Sequence, residues 1–258
     1  MVTADQESRQ VIEHYEMQGA LLKAEGAVGQ DLAAMDAAVT EGATRIGSLG
    51  LSGTETKPAL ERMGLFPWAV DTITVNETGV IDGVEPESYK SVIGEDLSKQ
   101  VHLQRLYRDK VPVMSDMLLT VEGVHAVDIA SPVFSKDGKF TGATTLLFRP
   151  EPLIAQNTPK KADGTPWDMW AMQPDGLVVY DPDPGQVGKN IFSDPLFKPY
   201  PELITVSGNI SRERQGAGTY TFMDTAGMNV TKEAFWTTVG IRGTEWRLVI
   251  VRATSPAS

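Results

Sequence analysis

Val75-Asn76-Glu77-Thr78-Gly79-Val80, followed by Val92-Ile93-Gly94-Glu95-Asp96-Leu97, has a second version later in the chain. There Met172-Gln173-Pro174-Asp175-Gly176-Leu177 is followed by Val187-Gly188-Lys189-Asn190-Ile191. In each version a strand runs into a polar turn ending in glycine, resumes, reaches a second glycine and enters a polar and aromatic, helix-like segment. The glycines suit turn positions of positive φ, where a side chain would strain the backbone. Each version then closes with a strand hairpin, Val127–Phe148 in the first and Phe235–Arg252 in the second. Two related modules of roughly 100 residues, joined near Pro150–Gly164, account for the length; the plainer alternative is a chance likeness of two glycine-rich hairpins.

Ahead of the first copy the texture is different. From Val2 to about Ser48 there is no proline, and Val28, Leu32, Met35, Val39, Gly42 and Ile46 recur at the steps of an amphipathic helix. Such a helix would extend ~60 Å, so its first half is expected to project or pair, and Val11, Ile12, Tyr15, Leu21 and Leu22 give that half an apolar side. A core-packing helix with a frayed start is the alternative. After Gly47, Gly50, Gly53 and Pro58 the pattern turns to short β-rich runs. Strands are predicted over Ala69–Val75, Val124–Phe134, Thr141–Phe148, Trp167–Gln173, Leu177–Tyr180, Gly218–Met223, Phe235–Ile241 and Trp246–Arg252. Lys136-Asp137-Gly138-Lys139 and Arg242-Gly243-Thr244-Glu245 read as hairpin turns. The fold class is therefore α+β: a long helix over 1–48, then antiparallel modules over 49–155 and 156–254.

Composition narrows the function. The 258 residues carry 23 Lys and Arg against 34 Asp and Glu, a net charge of −11, which repels a phosphate backbone; nucleic-acid binding is not expected. The chain has no cysteine, which excludes disulfides, zinc–thiolate and iron–sulfur sites and thiol nucleophiles. No run approaches the ~20 apolar residues of a membrane span, and the acidic start lacks a signal peptide's features. Enzyme signatures such as G-x-S-x-G, H-E-x-x-H and Walker A are missing, and His14, His102 and His125 are the only histidines, so no catalytic residue, metal or cofactor is assigned. Asp181-Pro182-Asp183-Pro184-Gly185 resembles part of a calcium loop, but it lacks the distal acidic ligand and reads as a rigid turn. Three of the five asparagines, Asn76, Asn209 and Asn229, head N-x-[ST] acceptors in or beside predicted turns, which agrees weakly with an extracytoplasmic surface.

Residues 92–148 carry a further order of motifs: Gly94, Asp96-Leu97-Ser98, Ser115-Asp116, Ser131-Pro132-Val133-Phe134, then Asp137-Gly138-Lys139-Phe140 and Gly142. The run resembles the double Cache sensor domains, tandem PAS-like modules of histidine kinases and methyl-accepting chemoreceptors. Asp175-Gly176, Val187–Ile191, Gly216-Ala217-Gly218-Thr219-Tyr220 and Trp236–Val239 before Trp246 match more loosely, so the likeness covers nearly the whole chain.

The resemblance implies an extracytoplasmic (periplasmic or extracellular) sensing region of a membrane receptor, attached through transmembrane helices outside this sequence. A small ligand would sit in the membrane-distal module, the membrane-proximal one would pass the signal on, and the N-terminal helix would form a homodimer. In amino-acid-binding relatives the helix after the D-L-S turn supplies an arginine and an aromatic, and the closing strand an aspartate. This chain places Gln100, His102 and Val113 at the arginine and two aromatic positions, and Leu147 or its neighbour at the aspartate. A typical free amino acid would then lack charged partners in a dry pocket, and a neutral or weakly anionic small molecule is expected instead.

The candidate ligand-binding set is Gln100, His102, Met114, Ser115, Asp128 and Thr145, placed between the sheet and the segments covering it. Asp128 points opposite to Val127 and Ile129, as a ligand contact or as a solvent-facing or hydrogen-bonded strand residue. His102 could donate to a carboxylate, or lie on the surface. Trp167, Trp170, Tyr180, Phe192, Tyr220, Trp236 and Trp246 read as core and interface residues, with a second aromatic pocket as the alternative. The rival functions are a secreted or membrane-anchored solute-binding protein and, further off, a hydrolase with a non-standard site.

Overall fold

A computed structural model describes residues 4–120, 124–159, 166–223 and 227–254. Helix α1 runs unbroken over Ala4–Leu49, and the expected start at Val2 lies outside the described residues. All six residues of its expected stripe are buried. The first half differs from expectation. Met17, Leu21 and Ala24 continue the buried face, while Val11, Ile12, Tyr15 and Leu22 are exposed. That half is therefore packed along one side, with a separate apolar strip left outside.

The chain forms two compact units. The first module comprises Gln30–Leu153 with Gly240–Thr244; the second comprises Met1–Gly29, Ile154–Val239 and Glu245–Ser258. Each contains one antiparallel sheet. In the first, β1 (Ala69–Asn76), β2 (Ile81–Glu85), β3 (Val113–Met114), β5 (His125–Phe134) and β6 (Phe140–Phe148) take the order β2-β1-β6-β5-β3, with β4 (Leu118–Leu119) also paired to β5. In the second, β7 (Asp168–Met172), β8 (Val178–Tyr180), β9 (Gly216–Met223), β10 (Asn229–Ile241) and β11 (Thr244–Ala253) take the order β8-β7-β11-β10-β9. Leaving β4 aside, the two orders are the same.

The repeated turns coincide bond for bond. Asn76 N–H donates to Val80 O and Gly79 N–H to Asn76 O; in the second copy Gln173 N–H donates to Leu177 O and Gly176 N–H to Gln173 O. Val80 then bridges Asp96 as Leu177 bridges Asn190. Gly79 and Gly176 both have φ of 93°, and a Cβ on either would strike the equivalent neighbour, Ser98 or Phe192. Each glycine therefore serves a left-handed turn and a close approach at once.

In the first module the sheet is covered on both faces, which is why β5 reads as a nearly continuous apolar run. Helix α2 (Lys57–Met63) lies on the face carrying Thr72, whose hydroxyl donates to Leu60 O. Gly47 of α1 comes so close to Phe134 O that no Cβ would fit. The other face meets α3 (Val101–Asp109), where Leu103 and Leu106 pack on Val113, Ala130 and Ala143. The second module centres on Trp170, Tyr220, Trp236, Phe197 and Phe222, flanked by α5 (Pro201–Arg212). Gly216 and Gly218 of β9 leave room for the Trp236 indole.

Three expectations need correction. The predicted linker over Pro150–Gly164 is helical at Pro150–Asn157 (α4), and residues 160–165 lie outside the described residues. Asn209 sits within α5 instead of beside a turn. Phe192 is exposed, unlike the other six aromatics named with it, because its ring covers Gly176 at the turn.

Candidate functional site

The face of the first sheet under α3 is set by strand register. Asp128 pairs with Leu147 and Ala130 with Thr145, so Asp128, Ala130, Thr145 and Leu147 share one face. Val113 of β3 pairs with Ala130, and Ser115 just beyond it exchanges two bonds with Asp128. Ser115 N–H donates to Asp128 O, and Asp128 N–H donates to Ser115 Oγ, each at 2.9 Å. From above, α3 lowers His102 onto this surface.

His102 Nε2 lies 2.8 Å from Asp128 Oδ2. His102 is 8% exposed, so the surface reading of this histidine fails, and Asp128 at 5% is not solvent-facing. The second carboxylate oxygen, Asp128 Oδ1, is buried without a hydrogen-bond partner among the described residues. A proton on Nε2 satisfies one oxygen; the other remains a strong acceptor held in an apolar layer.

Four of the expected residues thus converge: His102, Ser115 and Asp128 are linked by hydrogen bonds, and Thr145 lies on the same sheet face, 1% exposed. The structure separates the other two from this network. Met114 is buried but pairs with Ile129, on the alternate register, and its carbonyl is taken up by Arg105 and by Thr244 Oγ1 at 2.7 Å. Gln100 is the half-buried residue preceding α3, and its side chain makes no capping bond.

Sequence reasoning missed the groups that hold α3 in place. Tyr107 Oη donates to Asn76 O at 2.5 Å, and burial, with Asp82 nearby, pushes its phenol up to about 12. Arg105 donates to Met114 O and to Arg242 O. Lys110, the left-handed cap after α3, lies 3.2 Å from the centre of the Phe140 ring. The spacing of Arg105 and Tyr107 from His102 on α3 was visible in sequence. Their backbone acceptors lie on β1, β3 and the turn between β10 and β11, and were not.

Residues 30–150 match a family model described as "HK/GC/Chemotaxis protein-like, sensor domain". The match takes in just under half of the chain, and the duplicated sheet order continues around it. Residues 30–150 are similar to that sensor family. A solved "Extracellular ligand binding receptor" from Desulfohalobium retbaense superposes on 92% of the sensor domain with a TM-score of 0.78 and 28% identity; the match spans 40% of that receptor. The fold is shared with the ligand-binding domain of the Pseudomonas aeruginosa chemoreceptor PctB, in complex with L-Gln (TM-score 0.66, 15% identity, covering 92% of this chain and 89% of that one). It is shared also with that of Pseudomonas fluorescens CtaA, in complex with L-alanine (0.67, 14%, 95% and 99%). No curated protein matches the sequence.

Proposed function

We propose that the first module is the membrane-distal, ligand-holding part of a histidine kinase or chemoreceptor, and that its ligand seats between α3 and the sheet on His102, Ser115, Asp128 and Thr145. The observation that carries this reading is the buried His102–Asp128 pair with Asp128 Oδ1 left unpartnered. A buried acceptor of this kind costs about 1–3 kcal/mol, which a ligand's N–H or O–H would offset. His102, Ser115, Asp128 and Thr145 are too buried to be reached from solvent, so a ligand enters as α3 lifts from the sheet. Binding thereby becomes a shift between two arrangements of α3, the form a receptor signal requires.

The ligand is a neutral or weakly anionic molecule that donates at least one hydrogen bond. PctB and CtaA were solved with amino acids, but an arginine is absent at Gln100, and the carboxylate stands on β5, cross-strand from Leu147 where the resemblance places it. The match to a sensor family favours a receptor over a solute-binding protein. The exposed strip of Val11, Ile12, Tyr15 and Leu22 suits a homodimer through α1, and sedimentation that stays monomeric at high concentration would remove that part.

A thermal-shift screen of the sensor domain against carboxylic acids, amines, amino acids, purines and sugars tests the ligand reading. At a hundredfold excess over Kd a ligand adds ~2.7 kcal/mol, or roughly 5–10 °C. A shift from one class, abolished in Asp128→Asn and kept in Asp181→Asn, supports the site. A free amino acid giving that shift overturns the ligand class, and a shift indifferent to Asp128 overturns the site.

A further inference from the structure

The second module encloses a cavity of about 710 Å3, within the range of small-molecule sites and apart from the residues under α3. Trp170, Tyr220 and Phe222 form aromatic wall, while Asp168 at the start of β7, Asp181 after β8 and Lys232 on β10 stand around it.

Three features of this cavity concern charge. The Asp181 side chain accepts the Asp183 N–H, and Asp183 in turn accepts the Gly185 N–H, so the acidic turn is organised by its own backbone. Asp168, Asp181 and Asp183 outnumber the cations at the wall, Lys232 and Arg252, and Arg252 is already engaged with Glu13 and Glu233. Lys232 Nζ lies 5.4 Å from the centre of the Phe222 ring, so an ammonium already rests on this aromatic wall. The Trp170 indole N–H, on a residue 6% exposed, has no hydrogen-bond partner among the described residues, although it stands near enough to the Tyr220 oxygen to ease that phenol's upward shift.

We propose that this cavity is a second ligand site of the sensor domain, taking a small organic ammonium compound that also carries a hydrogen-bond acceptor. Its cationic end lies on the aromatic wall facing Asp181 and Asp168, and its acceptor meets Trp170 Nε1. Burial pushes the Asp181 carboxyl up to about 7 against the Asp183 N–H and Lys232, which lower it, while the Asp183 and Asp168 carboxylates add to the rise; Tyr220 and Arg252 are the other titratable groups at the wall. A cationic ligand favours the ionised form, so affinity rises as the solution is brought through that range.

Calorimetric titration of the full chain with choline, and with dimethylbutanol as its uncharged carbon isostere, tests this. Choline is expected to bind about tenfold tighter near pH 8 than near pH 6, and the isostere at least tenfold more weakly than choline. Asp181→Asn is expected to cost tenfold or more and remove the pH dependence, Trp170→Phe to cost several-fold, and Asp128→Asn to change nothing. Equal binding of the isostere, choline binding indifferent to both Asp181→Asn and Trp170→Phe, binding lost in Asp128→Asn, or no heat from choline at either pH overturns the proposal. Circular dichroism on each variant separates loss of the site from loss of the fold.

Discussion

His102 Nε2 and Asp128 Oδ2 stand 2.8 Å apart between α3 and β5, and Asp128 carries a second buried oxygen that nothing satisfies. The two halves of this pair are unequal. Replacing the imidazole leaves a desolvated carboxylate without its side-chain donor, whereas replacing the carboxylate leaves only an imidazole short of one hydrogen bond.

His102→Ala should therefore destabilise the first module by ~1–3 kcal/mol, because it strips Asp128 of its remaining side-chain donor. His102→Leu combined with Asp128→Leu should recover most of that loss while abolishing ligand binding at the site. Urea unfolding of the three proteins checks it. A double variant as unstable as the single one would show that packing, not charge, holds α3 here.

The equivalent glycines are expected to respond unequally. Gly79→Ala sets a Cβ against the Ser98 backbone, 2.8 Å from its Cα, while Gly176→Ala meets side chains alone, the Phe192 ring and, at 3.3 Å, Asn190 Oδ1. Both incur the cost of a left-handed residue, ~1–2 kcal/mol, but an exposed ring can turn aside and a backbone cannot. Thermal melts should rank Gly79→Ala as the more damaging, and the reverse order would count against the shared turn geometry.

Along α1, glycine has two meanings. At Gly19 and Gly26 an added Cβ would have no neighbour within 4 Å, so Gly→Ala at either should stabilise by roughly 0.5–1 kcal/mol through helix propensity. At Gly47 the same change would place Cβ 2.0 Å from Phe134 O and should cost about 1–3 kcal/mol instead. Melting temperatures of the three single variants decide whether close approach or propensity governs each position.

Asp181 makes stability depend on pH in a definite direction. Its carboxyl is raised from 3.8 to about 7, chiefly by burial, so the folded chain holds a proton that the unfolded chain has released. The resulting stabilisation is complete below about pH 4 and is lost as pH rises through about 7. Relative to Asp181→Asn, the wild-type protein should thus weaken between those limits, by on the order of 1–3 kcal/mol for a group only partly shielded from water. Denaturant midpoints across that range measure the difference, and a flat difference would remove the raised carboxyl.

The eight predicted strands, the duplicated turns and the long helix were legible because each rests on local signals: period-two runs, glycines at turns, an unbroken apolar stripe. β2, β3 and β4 were not, being two to five residues long, with little pattern to detect. At the site, Asp128 and His102 stood out as polar residues in apolar company, but their meeting depends on how α3 crosses the sheet. Trp170 and Tyr220 read as core, which they are; that Asp181, far along the chain, closes a cavity beside them follows only from the sheet order β8-β7-β11.

Arg252, near the end of β11, holds Glu233 of β10 together with Glu13 and His14 of α1. The first helix and the last strand of the second module are thereby riveted through one guanidinium. Mechanically, α1 and β11 slide past one another only by breaking these ion pairs, and Arg252 also borders the cavity.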